Sequence, residues 1–258
     1  MMPYIIKFWK YRELLYQLVI RDLRVKYRRS VLGYAWSLLN PLLMMAVISI
    51  VFSYMFRFEI DNYPMYLLTG LILYNFFNEA TTLSMSSIIN GGSLIRKVSL
   101  PKYIFPLSRT VSSFINLLFS LVAIIIMFAI TWTPISWTII FFPLPLIYLF
   151  IFALGAGMIL SVLSVYYRDI MHLYGVILTA WMYLTPIFYP AHILPELPRA
   201  LMKFNPLFHY IAVFREVVLY GQVPTLRSNL VCLAFSITSL LVGLYVFKKA
   251  QDKFVLYL

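Results

Sequence analysis

Long apolar runs dominate the chain and set its predicted elements. Six of these runs approach the roughly 20 residues that a helix needs to cross the hydrocarbon core of a bilayer, and short polar or basic connections separate them. The predicted spans are 36–56, 64–88, 110–130, 137–165, 171–189 and 229–247. The pattern predicts an all-α polytopic membrane protein, with six transmembrane helices in one domain that covers residues 1–258.

The pattern breaks between the fifth and sixth spans. Residues 190–228 keep many apolar and aromatic side chains, but charges and prolines interrupt them. The prolines that break the stretch from Met171 to Gly221 are Pro186, Pro190, Pro195, Pro198 and Pro206. Proline removes a backbone donor, and broken backbone at membrane depth is stable only against protein or a water-filled cavity. The segment is therefore predicted to mark a place where something polar crosses the membrane.

The first 29 residues are basic and aromatic, and too polar to span. Apolar side chains recur there every three or four residues, at Ile5, Phe8, Tyr11, Leu15 and Leu18. This spacing predicts an amphipathic helix over residues 4–21 that lies in the inner membrane interface. A helix packed on a soluble partner is the alternative.

Basic residues indicate the orientation of the spans. The chain has 21 Lys and Arg, and all but a few fall before the first span, in the loops after spans two and four, or in the tail. The exceptions are Arg57, Arg199, Lys203, Arg215 and Arg227. The positive-inside rule then places both termini in the cytoplasm and the broken segment on the outer side. It also accounts for the net charge of +12 without nucleic acid.

The polar residues do not form a recognisable catalytic or metal site. The sequence contains no P-loop, no nucleophile elbow and no paired metal-ligand spacing among its three His and nine acidic residues. Asp169 follows Arg168 and is expected to form an ion pair with it rather than to act as a base. An integral-membrane enzyme is disfavoured, because catalysis needs convergent titratable groups. Cys232 is the only cysteine, so no intrachain disulfide is possible.

Two spans carry polar or aromatic stripes. In the second span, Asn75, Asn78, Glu79 and Thr82 fall at i, i+3, i+4 and i+7, on one helix face. A carboxylate at this depth normally faces a bundle interior or a cavity. Two explanations for Glu79 stay open. The stripe lines a pathway or a protomer interface, or the carboxylate makes a structural hydrogen bond to a neighbouring helix or a basic loop residue. Trp181 belongs to an aromatic stripe on the fifth span, whose rings suit either sugar faces or ordinary packing.

The loop 91–109 is short and basic. One or two turns of helix fit near residues 93–100, before Pro101. Such a helix can dock into a soluble partner, and the alternative is a plain positive-inside loop.

Several fragments, in order and spacing, resemble one known family. They are KYRRSVLGYAWSLLNP (26–41), LIRKVSLPKYIFP (94–106), YYRDI (166–170) and TPIFYP (185–190), then Asn205-Pro206 and Phe214-Arg215. Together they are similar to the polysaccharide and polyol-phosphate export permeases, the membrane subunits of type-2 ABC transporters. That family exports lipid-linked O-antigen, capsule, S-layer glycan or teichoic-acid chains.

The resemblance implies partners and a location. The permease would be a homodimer in the bacterial inner (cytoplasmic) membrane, bound to two copies of a separate ATPase subunit that holds ATP and Mg. This chain would carry no cofactor of its own. The lipid-linked glycan would pass along the dimer axis, beside a channel or interface set of Asn75, Asn78, Glu79 and Trp181.

The resemblance also implies three further sites. The ATPase-coupling set is Ser93, Leu94, Ile95, Arg96, Lys97, Arg168 and Asp169. The cytoplasmic entrance and lipid-carrier set is Arg24, Lys26, Arg28, Arg29, Leu32 and Gly33, and plain positive-inside anchoring is the alternative for its basic members. The outer gate, on two short re-entrant helices between spans five and six, is Pro186, Tyr189, Pro190, Asn205, Pro206, Phe214 and Arg215.

The sequence is also compatible with other functions. A type-2 ABC permease for drugs, lipids or ions would have an apolar chamber open to lipid, whereas glycan export predicts a polar and aromatic channel. A membrane-embedded glycosyltransferase or other enzyme would cluster catalytic acids in a cavity. A passive or ion-coupled transporter would need no ATPase.

Overall fold

The fold is a helical bundle, given by a computed structural model that describes residues 9–26, 28, 30–55, 60 and 62–257. Every regular element in these ranges is helical, which confirms the all-α prediction. The helices are α1 (Arg12–Lys26), α2 (Ala35–Met55), α3 (Tyr63–Asn90), α4 (Gly92–Lys97), α5 (Ile104–Thr131), α6 (Pro143–Tyr166), α7 (Ile170–Leu184), α8 (Glu196–Met202), α9 (Pro206–Val218), α10 (Leu226–Ala250) and α11 (Phe254–Tyr257). Short 3-10 turns precede α6 (Trp137–Phe141), α8 (Ala191–Ile193) and α11 (Gln251–Lys253).

A helix lies at each of the six predicted spans. Among the described residues, four segments are long and apolar enough to cross a membrane: Ala35–Phe52, Ile104–Thr131, Trp137–Tyr166 and Leu226–Tyr257. Helix α7 is a shorter apolar helix. Helix α3 has 28 residues and carries the polar stripe of the second predicted span.

The start of α5 and the end of α7 differ from the predicted boundaries, and proline accounts for both. Helix α5 begins at Ile104, before the predicted residue 110. Pro106 lies in its first turn, where backbone N–H groups have no helical acceptor, so the missing N–H of proline costs no hydrogen bond. Helix α7 ends at Leu184 rather than near residue 189. Thr185 is extended there, with φ −102° and ψ 135°, because the following Pro186 disfavours the helical conformation.

Helix α3 lies at the centre of the bundle and contacts α2, α5, α6, α7 and α9. Most of its side chains are buried, including large aromatic ones such as Tyr74 and Phe77. The hydroxyl groups on α3 and α5 bond across the helix contact, and Ser84 Oγ lies 3.1 Å from Thr110 Oγ1. Such polar contacts between helices add to packing where lipid offers no hydrophobic drive.

Helices α6 and α10 approach closely through glycine. A Cβ atom on Gly155 would lie 2.3 Å from the carbonyl carbon of Ser239, and one on Gly243 would lie 2.5 Å from the carbonyl oxygen of Gly155. Small residues let two helix backbones come into direct van der Waals contact. The absence of a side chain at both positions therefore permits this crossing.

Helix α1 packs against α5 of the same chain. Leu18 and Val19 are buried, and the Asp22 carboxylate, whose side chain is 6% exposed, lies 3.0 Å from Arg109 Nη1 and 2.9 Å from Arg21 Nη2. The described part of the predicted amphipathic stripe thus contacts its own bundle, and the helix continues to Lys26. Ile5 and Phe8 lie outside the described residues.

One end of the bundle exposes Arg96, Lys97, Lys248 and Lys249 and is hereafter called the basic end. It has its own apolar cluster. Ile95 of α4, Phe105 of α5, Val165 of α6, Phe247 of α10 and Phe254 of α11 are buried together there. The cluster fixes α4 and α11 onto the ends of the long helices.

Candidate functional site

A cavity of ≈ 540 Å³ opens between α1, α2, α3 and α5. Its walls combine amide, hydroxyl, charged, aromatic and apolar groups. The residues with polar or aromatic side chains around it are Lys26, Ser30, Trp36, Ser37, Asn40, Asn75, Phe76, Glu79, Ser113, Asn116 and Ser120. This mixture resembles the lining of small-molecule sites, where a few placed polar groups stand on an apolar wall.

Glu79 is the centre of a polar cluster in this cavity. Lys26 Nζ donates to both carboxylate oxygens at 2.8 Å, and Asn116 Nδ2 donates to Oε1 at 2.8 Å. Ser113 Oγ lies 3.4 Å from the same oxygen. The Glu79 side chain is still 28% exposed. Glu79 therefore both makes structural hydrogen bonds and lines the cavity. A structural role and a place in a polar stripe along a pathway are thus compatible for this residue.

The rest of the α3 stripe divides between the cavity and the surface beside it. Asn75 lines the cavity and is exposed, although the residues around it on α3 are buried. Asn78 accepts a hydrogen bond from Thr82 Oγ1 at 3.3 Å farther along the same face. The stripe is thus the accessible side of an otherwise buried helix.

The polar residues of α5 that line the cavity were not singled out from the sequence. Ser113, Asn116 and Ser120 fall at i, i+3 and i+7, so one face of the third predicted span carries them all. That spacing indicates a polar helix face. A single Asn among small hydroxyl residues is nevertheless weak evidence for a functional site until its partner Glu79 is known.

The basic residues at the end of α1 and just after it point in two directions. Lys26 faces Glu79, whereas Arg24 and Arg28 are exposed beside a shallow groove of ≈ 420 Å³ on the opposite side of the helix. Gln17, Ile20, Arg21 and Val25 complete that groove. Arg29 lies outside the described residues.

A tight turn joins α1 to α2 at Leu32 and Gly33. Leu32 is 47% exposed, and the Gly33 N–H donates to Ser30 Oγ at 3.2 Å. Gly33 has φ +52°, a conformation that residues with a side chain rarely adopt, and a Cβ there would contact nothing within 4 Å. Backbone conformation, rather than crowding, therefore requires glycine at this turn.

The basic end presents the predicted coupling residues as one short helix and one turn. Helix α4 buries Ile95 and exposes Ser93, Arg96 and Lys97, while Leu94 is half-buried. A helix of one to two turns was predicted in this loop, and the structure confirms it.

The turn between α6 and α7 exposes both Arg168 and Asp169. The ion pair expected between them is not among those formed in the described ranges, so that expectation was wrong. The Asp169 carbonyl oxygen instead accepts from the N–H groups of His172 and Leu173, at the start of α7.

The broken backbone at 185–190 is satisfied by side chains from α3 and α9. Tyr63 donates to the Phe188 carbonyl at 2.8 Å, Tyr66 to the Tyr189 carbonyl at 3.0 Å, and Arg215 Nη1 to the Pro186 carbonyl at 2.8 Å. Protein groups thus replace the missing helical bonds, which is the condition for irregular backbone within a membrane. The two tyrosines were not predicted as part of this site.

Arg215 is buried and holds three segments together. It is 5% exposed, donates to the carbonyls of Tyr66 at 3.0 Å and Ile187 at 3.3 Å, and lies 3.5 Å from the Tyr66 ring centroid. In the described part of the chain it forms no ion pair. Its neighbour Phe214 is 1% exposed. These two predicted gate residues are therefore packed inside the bundle.

Asn205 links α7, the broken segment and α9. Its Oδ1 accepts from the Leu207 N–H at 3.0 Å and from Trp181 Nε1 at 2.9 Å, and its Nδ2 donates to Thr185 Oγ1 at 2.9 Å. Pro206 follows as the first residue of α9, a position that favours proline. The family resemblance implied two short helices in this segment, and α8 and α9 lie on either side of Asn205.

Trp181 and Tyr189 line a second cavity, of ≈ 480 Å³, beside α8. The Trp181 ring also packs edge-on against Phe77, at 5.2 Å between centroids. Trp181 is therefore not brought together with Asn75 and Glu79, although the sequence grouped the three. Pro186 and Pro190 are buried nearby. The described residues contain no cluster of His, Cys, Asp and Glu that could hold a metal ion.

Comparisons with known proteins match the chain over nearly its whole length. The family model for the ABC-2 type transporter matches residues 13–219. The O-antigen export system permease protein RfbA of Klebsiella pneumoniae is 31% identical over 248 residues, which cover 94% of this chain and 93% of that protein. The RfbA protein of Myxococcus xanthus is 29% identical over 95% of each chain. The polysialic acid transport protein KpsM of Escherichia coli is 22% identical over 91% of this chain and 92% of its own. The chain therefore belongs to the ABC-2 type transporter family.

Proposed function

We propose that the chain is the permease subunit of an ATP-driven exporter that moves a lipid-linked polysaccharide outward across the bacterial inner membrane. The end-to-end similarity to the O-antigen export permeases carries this proposal, at 31% identity over 94% of the chain. ATP and Mg bind in a separate ATPase subunit, and the permease makes no covalent change to the glycan.

Six spans, with both termini in the cytoplasm, suit this function. Apolar or amphipathic helices at all six predicted positions and the basic residues around α4 support that topology. Helices α8 and α9 are then re-entrant on the outer side. Pro186, Tyr189, Pro190, Asn205 and Pro206 close the outer mouth, and Arg215 and Phe214 anchor it.

The polar groups of the cavity, which stand on a partly apolar wall, favour a glycan over a drug or a lipid as cargo. Its walls hold amides, hydroxyls, a carboxylate and the rings of Trp36 and Phe76, whereas drug efflux calls for an apolar chamber. Two copies of the chain would place the α3 stripe along a shared channel. Arg24, Arg28, Arg29 and the Leu32-Gly33 turn would border its cytoplasmic entrance, where cations suit the phosphates of a lipid carrier.

Helix α4 and the Arg168-Asp169 turn are proposed to receive the movement of the ATPase. Charge reversal of both Arg96 and Lys97 to Glu should release a co-expressed ATPase subunit from the purified permease. Both side chains are exposed, so the fold should survive. The matched control reverses Lys203 and Arg227, which are exposed elsewhere. Retention of the ATPase by the Arg96/Lys97 variant would contradict the coupling assignment.

Deletion of the gene tests the function itself. Surface glycan should disappear, with lipid-linked chains accumulating inside the cell, and the wild-type gene should restore display. Unchanged surface glycan in the deletion strain, with no second permease compensating, would overturn the proposal.

A further inference from the structure

The last described turn of the chain folds back onto the proposed coupling helix. Phe254 of α11 is fully buried in the basic-end cluster with Ile95 of α4 and Val165 of α6. Helix α11 contacts both α4 and α6. The segment Gln251–Tyr257 is therefore held by the same residues that support α4.

Polar and aromatic contacts fix this segment in place. Lys102 Nζ donates to the Gln251 carbonyl at 2.6 Å, and the ring centroids of Tyr166 and Tyr257 are 4.8 Å apart. These contacts join the segment to the loop after α4 and to the last residue of α6. They make it a fixed part of the basic end.

The outer side of α11 exposes two adjacent apolar side chains. Leu256 is 81% exposed and Val255 is 47% exposed. Exposed large apolar side chains that occur together, rimmed by polar groups, mark interaction sites. The rim here is basic: Arg96, Lys97, Lys248, Lys249 and Lys253 are exposed, and Asp252 is the nearby acid.

We infer that Val255 and Leu256 form, with the exposed face of α4, one continuous docking surface, and that its occupant is the ATPase subunit. The basic rim calls for a partner with acidic groups around an apolar centre. An anionic membrane surface has similar chemistry, but it fits the position less well. Helix α4, with the sequence GSLIRK, is too polar to enter lipid, and Phe254 holds α11 directly against it. The inference rests on the proposed function, because that function supplies the ATPase.

The sequence offers a clean way to test this contact. Cys232 is the only cysteine and is fully buried, so a new surface thiol can be labelled selectively. A Leu256→Cys variant carries a thiol-reactive photocrosslinker in the full permease–ATPase complex. Leu197→Cys is the matched control, since Leu197 is 74% exposed on α8, at the other end of the proposed topology.

Illumination should produce a covalent adduct between the Leu256→Cys permease and the ATPase subunit, and none from Leu197→Cys. In addition, a Val255→Ser/Leu256→Ser variant should bind the ATPase about tenfold more weakly, which corresponds to ~1.4 kcal/mol. Adducts with lipid alone, or unchanged affinity of the serine variant, would overturn the docking surface. If the wild-type permease retains no ATPase at all, the proposed function fails as well. The two failures are therefore distinguishable.

Discussion

Arg215 shows how one residue can organise an irregular segment. Its guanidinium bonds to the carbonyls of Pro186, Ile187 and Tyr66 and stacks on the Tyr66 ring. Arginine suits this place because its planar fork has five donors. The sequence identified Arg215 through a family fragment, but it could not reveal that the partners are carbonyls separated by more than 100 residues along the chain or that the side chain is buried.

Replacing Arg215 should destabilise the whole bundle. In Arg215→Leu, buried carbonyls lose their donor, and each unsatisfied buried group costs about 1–3 kcal/mol. We expect a thermal midpoint several degrees lower in detergent, measured as monodisperse protein remaining after heating. Gly70→Ala should act in the same direction, because its Cβ would lie 2.8 Å from Arg215 Nη2. Arg227→Leu, at an exposed position, is the control and should leave the midpoint unchanged.

Glu79 should matter more for transport than for stability. The Lys26 and Glu79 side chains are 37% and 28% exposed, and ion pairs that reach solvent contribute about 0–1 kcal/mol. Glu79→Gln should therefore keep its assembly and thermal midpoint while surface glycan falls, because the cavity loses its carboxylate. Glu13→Gln, at an exposed position on α1, controls for loss of a charge. Normal export by the Glu79→Gln variant would show that transport does not need the carboxylate of this polar stripe.

At the scale of elements, hydropathy located the long helices and proline located the breaks. The polar face of α3 also followed from spacing alone. The close crossing of α6 and α10 did not, because glycines in an apolar run do not indicate which helix they face. The packing of α1 on α5 was likewise hidden, since Leu18 and Val19 fit lipid and protein equally well.

The α6–α10 crossing should be sensitive to a single methyl group. Gly155→Ala would place its Cβ 2.3 Å from the backbone of Ser239, so the helices must separate. Overpacking of this kind costs about 1–3 kcal/mol, and we expect a lower thermal midpoint. Gly175→Ala is the matched control in α7, where a Cβ meets nothing within 4 Å. Because alanine favours helices by about 1 kcal/mol over glycine, this variant should be as stable as the wild type or more so. Equal midpoints for the two variants would contradict the tight crossing.

At the scale of the whole molecule, the described chain has a cavity with polar groups on one side, and an apolar cluster beneath the basic end. Asn75 and the Lys26–Glu79 cluster line the cavity, whereas α4 and α11 pack on the basic-end apolar cluster. The sequence alone could not join α11 to α4, because their contact depends on how the last long helix ends. A second copy and an ATPase would complete the two surfaces in different places, one beside the stripe and one on the basic end.

Reconstituted transport tests the central claim most directly. The permease and its ATPase are placed in sealed vesicles with lipid-linked polysaccharide, and a lectin that cannot cross the membrane reports how much glycan stays on the side of the ATPase. ATP should remove glycan from that side when both subunits are present, and either subunit alone should leave it in place. An unchanged glycan distribution with an active, bound ATPase would contradict the account.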